Sequence, residues 1–313
     1  MKNFKYCLLA TGILLLSFSC KKKKLAAEAV LNEIALDQFF EDNIEDKKQH
    51  WTVSAEEPFY LVSEKGSWIY LNANSLVDMD GNLVTGDVDV DFIEIDKKSE
   101  MVLLNKSTAC VLPSGELSTL ISDGEYYVSI SQSDEELTLT EPLLIYTSVP
   151  FDDPDMRKFV NISETEDILW EIAGDSTLLL DGVAEGLSSF FITPGDGWNW
   201  VNLDKYASDP RPKTGIYAEL PDGFSDMNTE IFVSFDGENS LAHFAYWIDG
   251  RFVHSYASFP IGLEVHFIAV AMDDENLQYA IQSATIGDQH LETFTDFEPI
   301  SEVALGELID ALP

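Results

Sequence analysis

Alternation of apolar and polar residues predicts short β-strands over most of this chain. The clearest segment is Gly86–Ile95, where acidic residues alternate with Val88, Val90 and Phe92, as in a strand with one buried face. The alternation slips at Ile93 and Ile95, which we interpret as a β-bulge. The same texture predicts further strands at Ser67–Ala73, Leu117–Ile121, Tyr126–Ser131, Leu137–Leu139, Leu143–Tyr146, Ser189–Thr193, Trp198–Leu203, Gly215–Leu220, Thr229–Phe235, Leu241–Trp247, Arg251–Tyr256, Glu264–Met272 and Leu277–Ile286.

Helical spacing of apolar residues occurs only near the two ends. Residues 25 to about 49 predict one helix, and Ser301–Leu312 predicts a short amphipathic one with Ser301 as its N-cap. Between two of the later strands, Asp249-Gly250 predicts a tight hairpin, because these residues tolerate the positive φ angles that such a turn needs.

The stiff, acidic segment Pro150–Asp155 marks a break between two blocks of strands. We therefore predict an all-β protein with two β-sandwich domains that fold independently and meet near Asp152. The predicted ranges are a signal at 1–19, a tether and helix at 20–56, the first sandwich at 57–150, and the second sandwich with the C-terminal helix at 151–313.

The first twenty residues have the pattern of a secretory signal that ends in a cysteine. Lys2 and Lys5 precede a short apolar run, Leu8–Phe18, and Ser19 stands before Cys20. The run is about half the roughly 20 residues that a membrane-spanning helix needs. This resembles a bacterial lipoprotein signal, so we expect cleavage before Cys20, acylation of Cys20, and attachment to a lipid bilayer.

Lys21–Lys24 follow the cysteine and can lie against lipid headgroups. The Ser19-Cys20 ending resembles signals of the Bacteroidota type, and surface-exported lipoproteins of that group carry acidic residues after the cysteine. We therefore expect a protein of the cell envelope on the periplasmic side of the outer membrane, with exposure at the cell surface as the alternative.

The charge balance excludes one class of partner. The chain has 18 basic and 56 acidic residues, and six of the basic ones lie within residues 1–24. A body this acidic repels nucleic acid, whose binding needs clusters of Lys and Arg. Hydrophobic residues make up 45% of the chain, which is enough to build cores and argues against disorder.

Two stretches carry a family resemblance. Gly66–Val77 with Asp80–Val88, and Leu120–Val128 with Glu136–Leu139, resemble a β-sandwich module that recurs in uncharacterised envelope lipoproteins of the Bacteroidota and is similar to that of netrin receptors and ankyrins. Gly197–Asp204 and Pro260–Gly262 resemble segments of the domains that accompany this module. The resemblance implies a β fold and an envelope location but no reaction. Trp68 and Tyr70 depart from it, since the module has smaller or aliphatic residues there.

The sequence shows no hydrolase or phosphate-binding motif, so we expect no enzymatic activity and no cofactor. We interpret Cys110 as a small buried apolar residue rather than a nucleophile. Asp78, Asp80 and Asn82 fit an ordinary turn better than a calcium loop, because a bidentate Glu is missing at the twelfth loop position. His243 and His254 lie near each other across the predicted hairpin. They read as part of an aromatic stripe, with a zinc pair as the alternative.

One strand combines aromatic and polar residues on one face. Trp198, Trp200, Asn202 and Asp204 alternate, so their side chains point the same way. An exposed face of this kind is a sugar-binding platform, and a buried one is a sandwich core with a polar rim. The core is the favoured interpretation, because large aromatic side chains are mostly buried.

These observations predict an anchored, non-catalytic binding or scaffolding module for envelope glycan or protein, with those four residues as the candidate ligand site. A metal-dependent hydrolase and a structural spacer are the alternatives. An exposed aromatic or apolar patch distinguishes the binding module from the spacer.

Overall fold

The structure, a computed structural model, describes residues 32–150, 153, 155–163, 168–174, 187–193, 200–273 and 276–313. The predicted all-β class is confirmed, since strands dominate and helices are few. The helices lie at residues 32–47 (α1), Lys98–Leu103 (α2) and Glu302–Asp310 (α3). No helix in the described part is long and apolar enough to cross a membrane. Cys20 and the rest of the predicted signal lie outside the described residues.

The strands up to Tyr206 are β1 Gln49–Ser54, β2 Phe59–Val62, β3 Trp68–Leu71, β4 Leu76–Val77, β5 Asp87–Ile95, β6 Ala109–Val111, β7 Leu117–Gln132, β8 Glu135–Glu136, β9 Thr138–Leu139, β10 Leu143–Pro150, β11 Arg157–Asn161, β12 Trp170–Ile172, β13 Leu187–Ile192 and β14 Trp200–Tyr206. Those that follow are β15 Lys213–Glu219, β16 Thr229–Phe235, β17 Leu241–His243, β18 Tyr246–Ile248, β19 Arg251–Pro260, β20 Glu264–Asp273, β21 Asn276–Thr285, β22 His290–Thr293 and β23 Glu298–Pro299.

Four main sheets form two sandwiches. Sheet I has the order β1-β5-β7-β14-β11-β12-β6, with β8 also on β7, and sheet II has the order β13-β10-β3-β2. Their facing side chains, among them Phe92, Tyr126 and Phe190, form the first core. Sheet III (β17-β16-β20-β21-β23) and sheet IV (β18-β19-β15-β22) enclose the second, which includes Phe244 and Phe267. Strands β4 and β9 pair separately.

The predicted domain boundary near Asp152 is wrong. Strands β11, β12 and β14 pair into sheet I, and β13 pairs with β10 in sheet II, so residues up to Tyr206 complete the first sandwich. The connection between the sandwiches is therefore 207–212. The predicted tether at 20–56 is also too long, because α1 ends at 47 and β1 is already part of sheet I.

One end of sheet I closes on itself. Strand β7 pairs with both β14 and β6, and β6 pairs with β12, so that β7, β14, β11, β12 and β6 form a ring. Its interior holds Cys110, Leu120, Phe159 and Trp170, all fully buried. The Trp170 indole N–H donates to the Ser107 carbonyl at 2.7 Å, as a buried indole requires.

The three helices join the two sandwiches. Leu36 and Phe40 of α1, Met101 and Val102 of α2, and Leu305 and Ile309 of α3 form one buried cluster, the helix layer, with side chains of both neighbouring sheets. Those side chains include Ile93, Ile95, Tyr127 and Trp200 from sheet I, and Phe232, Ile268 and Val270 from sheet III.

Because sheet III buries apolar residues on both faces, removing the first sandwich would expose a large apolar surface. We therefore expect the described body to unfold as one unit, in contrast to the independent domains that the sequence predicts.

The first testable prediction concerns this layer. Leu305→Ala removes a side chain that is 0% exposed and should lower the free energy of unfolding by about 3 kcal/mol. Val303→Ala, on the same helix, is the matched control, because Val303 is 72% exposed and its loss should change stability by less than about 0.5 kcal/mol. Chemical denaturation followed by near-UV circular dichroism measures both. Two separate transitions, only one of them shifted by Leu305→Ala, would contradict the shared layer.

Candidate functional site

The structure places the predicted platform residues of β14 inside the protein. Asn202 and Asp204 are fully buried, so neither reaches a ligand at the surface. Trp200 is half-buried. Its ring packs on Tyr127 at 5.4 Å between centroids, and the Lys106 ammonium lies 5.3 Å from the ring centroid. Trp198 lies outside the described residues, and its role stays a prediction. The three described side chains do share one face, but that face points into the ring and the helix layer.

Around Asp204 the structure builds a buried polar cluster. The Ser122 hydroxyl donates to Asn202 Oδ1 at 2.9 Å, and the Asn202 amide donates to Asp204 Oδ2 at 2.6 Å. Asp204 Oδ1 and both carboxylate oxygens of Glu125 have no hydrogen-bond partner among the described residues. Burial raises the pKa of Glu125 to about 8, although the nearby charge of Lys106 opposes that shift. Burial and then the charge of Glu125 raise the pKa of Asp204 well above its ordinary value.

A β-bulge in β7 brings these carboxyl groups together. Leu203 pairs with Gly124 and Asp204 pairs with Ser122, so Asp123 is the extra residue. The extra residue shifts the alternation, and Ser122 and Glu125 consequently point to the same side of the sheet. Gly124 is required there, because a Cβ at this position would lie 2.7 Å from the Tyr126 hydroxyl. The sequence predicted two strands here, Leu117–Ile121 and Tyr126–Ser131, whereas the structure has the single strand β7.

A different surface carries exposed aromatic side chains. On the outer side of sheet II, Tyr60 pairs with Tyr70 and Tyr70 with Leu144, while Val62 pairs with Trp68 and Trp68 with Tyr146. We call these six side chains, which form two adjacent rows across β2, β3 and β10, the aromatic face. Tyr60 is 60% and Val62 55% exposed, and the other four are half-buried. Outer faces of antiparallel sheets are usually polar, so six apolar or aromatic residues in two rows make this face a candidate binding surface.

The rings of this face form a continuous series. The Tyr60 centroid lies 5.0 Å from that of Tyr70 and 6.2 Å from that of Trp68, and Trp68 lies 6.3 Å from Tyr146. The rings are tilted against one another rather than coplanar, at interplanar angles between 49° and 69°.

Polar groups border the series on one side. The Tyr70 hydroxyl donates to Asn72 Oδ1 at 2.6 Å, and the Asn72 amide donates to Glu141 Oε2 at 2.8 Å. The surface therefore combines ring faces with a row of hydrogen-bonding groups.

Buried and charged contacts hold the loop between β2 and β3 in place. Glu94, on the inner side of β5, accepts hydrogen bonds from the Ser63 hydroxyl at 2.7 Å and from the Ser67 hydroxyl. At the loop tip, Lys65 contacts Asp96 and Glu100 at 2.6 Å each. Burial opposes ionisation of Glu100, but hydrogen bonds from Lys65 and Lys47 outweigh it and lower its pKa. Because β5 and α2 fix this loop, the hairpin that bears Tyr60, Trp68 and Tyr70 is preorganised.

The remaining candidate residues are engaged in internal contacts. The predicted Asp249-Gly250 turn is confirmed, but β17 pairs with β16 in sheet III, so His243 and His254 lie in different sheets. His243 Nε2 lies 2.5 Å from Glu230 Oε2. Burial lowers the pKa of His254 to about 4. Within the described residues, no three His, Cys, Asp or Glu side chains come together in a way that could hold a metal ion.

Asp78 and Cys110 lie in the environments that the sequence predicts for them, an ordinary turn and a buried position. Asp78 Oδ1 accepts backbone N–H groups of Asp80 and Asn82 at 2.9 and 2.8 Å, as in an ordinary Asp turn. Cys110 is buried, and burial followed by the charge of Asp204 raises the pKa of its thiol to about 12. A thiol of this kind is a poor nucleophile.

Comparison with models of known protein families finds no match, and comparison with curated proteins finds none either. The candidate site therefore rests on geometry. The aromatic face did have a signal in the sequence. Phe59–Val62 and Trp68–Leu71 are apolar at every position. A half-buried strand normally alternates apolar and polar residues, so these strands carry apolar side chains on the outer face as well as on the core face.

The second prediction tests the buried cluster. Glu125 has an ordinary pKa of 4.5 in the unfolded chain and about 8 in the folded one. Between these values the folded state holds a proton that the unfolded state releases. Stability should therefore fall as pH rises from about 5 to 8, by at most about 1.4 kcal/mol per unit from this group.

Glu125→Gln should flatten that dependence, and urea denaturation at pH 5, 6, 7 and 8 measures it. Glu136→Gln is the control, because Glu136 is an exposed Glu in the same sheet and should leave the slope unchanged. An unaltered slope in Glu125→Gln would show that this carboxyl is ionised in the folded protein.

Proposed function

We propose that this protein is a non-catalytic binding module of the cell envelope, and that the aromatic face is its ligand-binding surface. The observation that carries the proposal is the arrangement of Tyr60, Trp68, Tyr70 and Tyr146 as exposed or half-buried rings in adjacent positions on one sheet face. A structural spacer does not require such a surface, and large aromatic side chains left in contact with water are a cost unless something covers them.

A neutral polysaccharide is the ligand class that this face suits best. Ring faces stack on the C–H faces of sugar rings, and polar groups at the border take their hydroxyls. Here Asn72 and Glu141 supply such groups beside Tyr70. Three strands that lie about 4.8 Å apart give a surface longer than one sugar ring, which favours a chain over a terminal monosaccharide. The acidic body repels sulfated or uronic acid-rich chains, which leaves neutral glycans.

We further propose that acyl chains on Cys20 tether the module to a membrane. The charged start, the short apolar run and Ser19-Cys20 support this. The same tether supports an envelope location, with the periplasmic side of the outer membrane favoured by Lys21–Lys24.

The third prediction tests the ligand surface. Tyr60→Ala and Trp68→Ala should each weaken binding to a neutral polysaccharide by roughly 30-fold, since loss of a central aromatic contact costs about 2 kcal/mol. Affinity electrophoresis in gels with a β-glucan, a mannan or the cell's own envelope polysaccharide measures this.

Tyr246→Ala is the matched control, because Tyr246 is 46% exposed on the second sandwich and should leave binding unchanged. Denaturation midpoints equal to wild type would show that the variants fold. If the folded Tyr60→Ala and Trp68→Ala proteins bind as wild type does, the aromatic face is not the glycan site.

The fourth prediction tests the tether. Cys20→Ala should move the protein from the membrane fraction to the soluble fraction or leave an uncleaved precursor. Mass spectrometry of the native N-terminus should find a diacyl or triacyl modification on Cys20. A mature N-terminus that begins elsewhere and carries no lipid would refute the anchor.

A further inference from the structure

A cavity of about 250 Å³ lies where the two sandwiches meet. It is lined by the first residues of β7, by the connection 207–212, and by the ends of β15, β16 and β19. Small-molecule sites occur preferentially at such junctions, and this volume suits a ligand of amino-acid or dipeptide size.

Five charged side chains line the cavity, and three of them are already engaged. The Asp209 carboxylate accepts two hydrogen bonds from Arg211 Nε, at 3.0 and 2.9 Å, and one from Nη2 at 2.5 Å. That contact lowers the pKa of Asp209. Asp236 Oδ1 lies 2.7 Å from His266 Nδ1. Contacts within the protein therefore already engage these three side chains.

The other two are Lys213 and Glu238. Both are exposed, and neither makes a side-chain hydrogen bond or ion pair among the described residues. The charge of Lys213 acts on Asp209, and the charge of Glu238 acts on Lys98 and Lys205. Both belong to the second sandwich. Lys213 is the first residue of β15 in sheet IV, and Glu238 lies in the turn that follows β16 of sheet III. The cavity therefore offers one cation and one anion that have no hydrogen-bonded partner among the described residues.

Uncharged groups complete the lining. Ser118 and Thr119 are largely buried, and their hydroxyls have no hydrogen-bond partner among the described residues. Phe235 and Pro260 provide apolar surface beside them. A small ligand in this cavity would thus meet hydroxyl groups and apolar surface between two charges of opposite sign.

We propose that this cavity binds a small zwitterion of the amino-acid or dipeptide class, whose carboxylate pairs with Lys213 and whose ammonium pairs with Glu238. A ligand with only one charge would pair with only one of these two side chains. A free anion is further disfavoured by the acidic body of the protein. This site is separate from the aromatic face and does not depend on glycan binding.

A matched ligand series tests the proposal on the complete mature protein. L-alanyl-L-alanine carries both charges, its N-acetyl derivative only the carboxylate, and its C-terminal amide only the ammonium. Isothermal titration calorimetry should show that the zwitterion binds at least about tenfold more tightly than either derivative. Lys213→Met and Glu238→Gln should each weaken zwitterion binding by about tenfold and abolish the preference over the corresponding derivative.

Lys97→Met and Glu56→Gln are the controls, because both residues are exposed and lie outside the cavity, and they should not alter binding. Tyr60→Ala should leave it unchanged as well, which separates this site from the glycan surface. The proposal is wrong if the three ligands bind equally, if none binds at millimolar concentration, or if the Lys213→Met, Glu238→Gln double variant binds the zwitterion as wild type does.

Discussion

The helix layer is the contact on which the rest of the structure depends. Sheet III is apolar on both faces, with Phe267 turned toward its own core and Phe232 and Ile268 turned toward the helices. A half-buried sheet can face water, whereas a sheet that is apolar on both sides needs a second partner. Helices α1, α2 and α3 cover it and at the same time cover Ile93 and Ile95 of sheet I. The protein is therefore five layers deep rather than two sandwiches on a flexible linker.

This layer also explains which features of the fold could be predicted from the sequence. Local alternation predicted most strands and the all-β class, and the C-terminal helix begins after Ser301 as its cap predicts. The slip at Ile93 and Ile95 is not a bulge, since β5 pairs with β7 in unbroken register. It occurs where the outer face passes from water to the helix layer. The domain boundary failed for a related reason. Strand pairing is decided by distant partners, and the composition around Asp152 does not reveal that β14 belongs beside β7.

For the candidate site, too, the sequence predicted which residues share a face but not where that face lies in the protein. Period-two alternation correctly placed Trp200, Asn202 and Asp204 on one face, but alternation alone does not decide whether a face meets water. The ring of strands, closed by β6, turns that face inward, and a single extra residue at Asp123 then adds Glu125 to it. The aromatic face had a signal in Phe59–Val62 and Trp68–Leu71, which are apolar at every position. Their exposure follows from β2 and β3 lying in the outermost sheet, which depends on the order of all the layers.

The placement of charge ties these features together. In a chain with a large excess of acidic residues, carboxyl groups such as Glu94 and Glu125 lie inside, while Tyr60, Val62 and Trp68 lie outside. Burying a carboxyl is costly unless it is hydrogen-bonded or protonated. Glu94 is hydrogen-bonded by Ser63 and Ser67, and these bonds hold one end of the hairpin that carries the aromatic face. Glu125, beside the ring of strands, has a pKa raised to about 8 by burial, which favours its protonated form. If Cys20 carries the anchor, at most about twelve residues, or roughly 40 Å of extended chain, separate the membrane from α1. The tether then enters at the helix layer, and the aromatic face lies two sheets away from that layer.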